Sequence, residues 1–151
     1  MKLAEALLIR KDLQNKLSEM RCRLNNNAIV QEGETPAEDP ELLLQQSRRM
    51  FGELQKLMTQ INLCNARVIC EGKTMTELLA ERDCLKQEIS MIRDFLDSAS
   101  STGRRARGSE IKVISTVAVA DIQKLADSRS AQLRKLEMKI QQLNWTTEID
   151  D

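Results

Sequence analysis

The sequence contains no histidine and no tyrosine, and only two phenylalanines, Phe51 and Phe95, and one tryptophan, Trp145. Without histidine the commonest general base and the commonest metal ligand are missing. Ser-His-Asp and Cys-His arrangements are therefore impossible within the chain. The shortage of aromatics removes the stacking platforms on which single-strand nucleic-acid binders rely. Charge of one sign is also lacking: 23 basic residues balance 23 acidic ones, so the basic excess of a nucleic-acid binder is absent and no nucleic acid is expected as a partner. No run approaches the ~18 apolar residues of a membrane span. The apolar start is broken by Glu5, Arg10 and Lys11, which leaves too short a core for a signal peptide. No glycine-rich phosphate loop or zinc-ligand spacing occurs. Cofactors and metals are accordingly expected to be none.

Four cysteines, Cys22, Cys64, Cys70 and Cys84, are too sparse and irregular for a disulfide framework. They read as reduced thiols of a cytoplasmic protein. Cys64 falls on an apolar seam and reads as a small core residue, and Cys22 and Cys84 as surface thiols.

What is present is helical periodicity. Leu, Glu, Lys, Arg, Gln and Ala dominate, and apolar residues recur every three or four positions in four segments. The first, from about Lys2 to Asn27, carries Leu3, Ala6, Arg10, Leu13, Leu17, Met20 and Leu24. The second opens on Asp39 as N-cap and Pro40 at the first helical position, and carries Leu43, Ser47, Met50, Leu54, Leu57, Ile61 and Cys64 to a stop near Asn65. Glu71-Gly72 marks a turn. Thr74 to Glu77 has the pattern of a capping box, and the third seam reads Met75, Leu78, Arg82, Leu85, Ile89, Ile92, Leu96 and Ala99. The fourth begins near residues 117–119 with Thr116 as cap. It reads Val119, Ile122, Ala126, Arg129, Leu133, Leu136, Ile140 and Leu143, and stops at Asn144. Each helix is ~35–40 Å long at 1.5 Å per residue.

Segments one and three match at an offset of 72, for instance Arg10 with Arg82 and Arg21 with Arg93. Segments two and four match at 79, for instance Lys56 with Lys135 and Asn65 with Asn144. The expected fold is all-α: an antiparallel four-helix bundle or coiled coil from two similar helical hairpins, in a single domain over residues 1–151. Repeat one spans about 2–66 and repeat two about 74–146. In an up-down-up-down bundle the two long loops share one end. Glu32, Glu34 and Asp39 of one loop would then meet Arg104, Arg105 and Arg107 of the other. A short β element is expected there, pairing residues 28–31 with the alternating stretch Ile111–Val117.

Arg10, Arg82 and Arg129 occupy seam positions, where a buried arginine needs a partner such as Glu5, Asp12, Glu81 or Asp83. They read as seam edges or register pins, or else as a polar pocket or subunit contact. Trp145, just beyond the last helix, reads as a plug for the bundle end or as an interface anchor.

Four motifs together resemble the small bacterial family labelled septicolysin. They are Asn27–Pro40 (NAIVQEGETPAEDP), Leu78–Asp83 (LLAERD), Ser109–Val117 (SEIKVISTV) and Asn144–Thr147 (NWTT). The resemblance spans nearly the whole chain. It implies a bacterial protein and, by the family's label, a thiol-activated, cholesterol-dependent lytic activity. Such toxins are large and β-rich, whereas this chain is short and helical. The leading expectation is therefore a non-enzymatic helical scaffold that self-associates or presents a helical face to a protein partner. A membrane-active protein, and an enzyme or ligand binder with an arginine–carboxylate site, are the alternatives.

Overall fold

The apolar seams do become helices. In the computed structural model, which describes residues 1–102 and 111–150, there are four: α1 (Leu3–Asn26), α2 (Pro40–Arg67), α3 (Met75–Ser100) and α4 (Val119–Thr146). A two-residue-per-strand hairpin, β1 (Ile69–Cys70) and β2 (Lys73–Thr74), links α2 to α3. The protein is an all-α helical bundle. The helix starts of the two hairpins fall at the offsets read in the sequence, since Leu3 and Met75 are 72 apart and Pro40 and Val119 are 79 apart. Every seam position in α1 to α4 is buried or half-buried, and none is exposed.

The chain forms two compact units. The first contains Met1–Thr74 and the stretch from Leu143 onward. In it α1 and α2 pack against each other and lie antiparallel, since Arg23 and Asn27 at the end of α1 reach Glu38 just before the start of α2. Its fully buried side chains include Leu3 and Ile61. Asp39 caps α2 as its sequence predicts, accepting from the Glu41 N–H at 2.9 Å. Before it the chain turns at Gly33, whose φ of 87° suits the third position of a tight turn closed by Glu34 N–H donating to the Gln31 carbonyl. Buried Asn27 ties the loop down: its Nδ2 donates to Arg23 O at 2.8 Å, and its Oδ1 accepts from Glu38 N–H at 2.9 Å. Arg23 also grips the Glu38 carboxylate through both Nε and its terminal nitrogen.

The chain's two ends meet in this unit. Leu3 N–H donates to Thr147 O and Ile149 N–H to Met1 O, both at 2.9 Å. Lys2 pairs with Glu148 at 2.7 Å and Arg67 with Asp150 at 2.9 Å. Ile149 is only 4% exposed.

The second unit, Met75–Gln142, holds α3 and most of α4. Lys86 pairs with Glu137 at 3.1 Å, Glu88 with Arg129 at 3.0 Å, and Arg93 donates to Ser130 Oγ at 3.3 Å. From Lys86 to Arg93 the α4 partner moves back from Glu137 to Ser130, so these helices are antiparallel too. Leu85, Ile89, Leu136 and Ile140 are buried.

Two expectations are corrected. Residues 28–31 and 111–117 form no strand. Pairing them would close a long loop, whereas Glu71 (φ 52°) and Gly72 (φ 81°) give residues 69–74 a local two-residue turn of positive φ that sets its own register. The plug reading of Trp145 also fails. Helix α4 continues past Asn144 to Thr146, so Trp145 sits on its last turn, 57% exposed.

Candidate functional site

Among the described residues, the arginines singled out by the sequence each have their own local surroundings. Arg10 is half-buried on α1. Arg82 folds back on its neighbour, donating from Nε to Asp83 Oδ1 at 2.9 Å. Arg129 lies 3.0 Å from Glu88 and donates to Gln132 at 3.2 Å. The Glu88 contact is ionic rather than in line, because the buried Nε–H itself has no hydrogen-bond acceptor. Glu32 and Glu34 are exposed, and Asp39 serves as the α2 cap. Arg104, Arg105 and Arg107 lie outside the described residues, so the proposed charged-loop contact does too.

Cys64 is buried in the core and burial pushes its thiol up, while Cys22 and Cys84 are exposed. Among the described residues, no three His, Cys, Asp or Glu side chains are placed to hold a metal ion, and no helix is long and apolar enough to cross a membrane.

The feature that stands out lies elsewhere, along the outer edge of the α1–α2 hairpin. Ser47, Leu54 and Ile61 of α2 are buried. One step to the side, Leu44, Phe51 and Met58 repeat every seven residues and are 53%, 57% and 41% exposed. With Leu17, Arg21 and Leu24 of α1, Leu44 and Phe51 border an open groove of about 500 Å³. Beyond the stripe the same side of α2 carries Glu41, Gln45, Arg48, Gly52, Gln55, Thr59 and Asn62, with Glu41 and Arg48 the two charges among these seven. An apolar centre with few charges is the composition of an interface core rather than of ordinary surface.

The stripe lies outside the single heptad row that marks the covered face of each helix. The signal was in the sequence: a second row, 44–51–58, beside the first. Aromatic and methionine side chains there bury large area at low entropy cost when covered.

Comparison with known proteins bears on identity and leaves the stripe's role open. A family model described as "Family of unknown function (DUF6847)" matches residues 10–149. No curated protein matches the sequence. A solved structure, the crystal structure of a functionally unknown conserved protein from Corynebacterium diphtheriae, is 36% identical and superposes with a TM-score of 0.93 over 99% of each chain. These matches overturn the resemblance to septicolysin. Nothing in either points to that family.

Proposed function

We propose that this chain, which belongs to the family of unknown function DUF6847, is a non-enzymatic helical interaction protein that self-associates. One observation carries the reading: the exposed Leu44–Phe51–Met58 stripe of α2, whose Leu44 and Phe51 border the groove of the α1–α2 hairpin. A contiguous apolar patch on a small protein is costly in water and marks a surface that is covered in use. Balanced charge favours close approach of identical chains, because no large net charge repels them. The arginines of the seams act within the scaffold: two of the three are engaged by carboxylates of their own unit. A cytoplasmic setting fits the free thiols, two of them exposed at Cys22 and Cys84.

The molar mass in reducing buffer tests this. A defined oligomer that dissociates on dilution is the expected result. A particle of 17.2 kDa at every concentration would remove the self-association.

A further inference from the structure

We infer that the occupant of the α2 face is the α2 face of a second copy, packed antiparallel about a two-fold axis that passes beside Phe51 and Gly52. The inference rests on the self-association reading and specifies its surface and geometry.

The first ground is Gly52. It lies in the interior of α2, twelve residues past the start and fifteen before the end. Glycine there weakens the helix. Nothing within the chain asks for it, since a Cβ at Gly52 would meet no atom within 4 Å. The benefit of a missing side chain at an exposed helix position is close approach by something outside, and Gly52 shares its side of α2 with the exposed Arg48 and Gln55, next to the Phe51 stripe.

The second ground is a comparison internal to the molecule. At the offset of 79, Leu44, Phe51, Met58 and Gly52 correspond to Gln123, Ser130, Glu137 and Ala131. In the second hairpin the three stripe positions are polar, and two of them are bridged to α3, Glu137 by Lys86 and Ser130 by Arg93. At the offset of 72, those two basic residues correspond to Gln14 and Arg21. Opposite them, Met58 and Phe51 have no side-chain acceptor with which to close such a bridge. The hairpin architecture therefore does not require an apolar stripe here. It is particular to α2, and it comes together with the glycine.

The third ground is self-complementarity. In an antiparallel pair centred between residues 51 and 52, each Phe51 ring covers the partner helix at its glycine. The ends of the two stripes, Leu44 and Met58, also come to lie opposite each other. Arg48 falls opposite Gln55, so the one charge in the middle of the face meets a neutral acceptor. A parallel pairing would set Arg48 against itself and align the two helix dipoles. From Glu41 to Asn62 the face runs about 32 Å at 1.5 Å per residue. With the α1 rim it is about 20 Å wide, which offers on the order of the 800 Å² per partner that a stable dimer needs.

The test uses the full chain with the exposed Cys22 and Cys84 replaced by serine. Chains carrying Arg48→Cys are mixed with chains carrying Gln55→Cys and oxidised, beside each alone. Faster cross-linking of the mixture than of Arg48→Cys alone is expected, and the reverse order would overturn the antiparallel geometry. In parallel, Phe51→Arg and Gly52→Leu are compared with the parent by light scattering. Both are exposed sites, and a far-ultraviolet melt of the monomer no lower than the parent's shows that folding is intact. The dissociation constant is expected to rise at least about thirtyfold for Phe51→Arg, the scale of a hot-spot residue. An oligomer untouched by either substitution would overturn this face while leaving self-association standing. A parent that is monomeric throughout would remove both.

Discussion

Single residues in this protein fall into groups with different sensitivities. Ile61 and Ile140 are almost wholly enclosed, at 1% and 2% exposure. Replacing either by alanine removes methylenes and leaves a cavity, so a loss of about 2–5 kcal/mol in unfolding free energy is expected in urea titrations. Leu63 is exposed on α2, and its alanine variant is expected to stay within about 0.5 kcal/mol of the parent. Gly52 has the opposite sign. In a Phe51→Arg background, where assembly does not contribute, Gly52→Ala is expected to stabilise the chain by roughly 0.5–1 kcal/mol, because the position has helical backbone and room for a methyl group. The thiols divide in the same way. Cys22 and Cys84 are exposed, while the Cys64 thiol is buried and its pKa raised by that burial, with the nearby Arg67 opposing the rise. Titration with a disulfide reagent is expected to label Cys22 and Cys84 first, and Cys64 only when the protein unfolds.

At the scale of elements, much was legible and some was not. The seams were, because burial of one helix face imposes a period on the sequence: Leu43, Leu54, Leu57 and Ile61 are all buried in α2. So were the Asp39-Pro40 start and the Glu71-Gly72 turn, whose signals are local. Helix ends were read two residues short in α2 and α4, since Asn65 and Asn144 do not terminate them. The pairing of the chain's ends was not legible at all. No short-range pattern announces that Lys2 will bridge Glu148 or that Ile149, alone among polar neighbours, will be buried.

These ion pairs make a pH prediction. Hydrogen bonding to Lys2 and its charge hold the Glu148 carboxyl below its ordinary value, and hydrogen bonding to Arg23 does the same for Glu38. A carboxylate with a depressed folded-state pKa contributes stability that is fully present above its unfolded value. That contribution is lost as pH falls from the ordinary glutamate range, about 4.3, through the folded value. The gap in urea midpoint between the parent and Glu38→Gln is therefore expected to be open at pH 7 and to close under strong acid. Both pairs are exposed, so the gap is small.

For the whole molecule, composition excluded more than it identified. With no histidine and balanced charge, the sequence pointed away from several chemistries, and the four seams supplied the bundle. The candidate site escaped because it is made of the same residue types as the core. Leu44, Phe51 and Met58 are apolar like Leu54 and Ile61 and differ from them in which way the helix turns them. Periodicity finds the face that is covered within the chain. A second apolar row beside the first becomes visible as surface only once the hairpin is built and the row is left exposed.

The most direct test of the account is the solution molar mass of the parent beside Phe51→Arg, by light scattering in reducing buffer over a concentration series. The account predicts that the parent approaches twice the chain mass of 17.2 kDa with rising concentration while Phe51→Arg stays at the chain mass. A parent that holds the single-chain mass throughout, or a variant that assembles as the parent does, would contradict it.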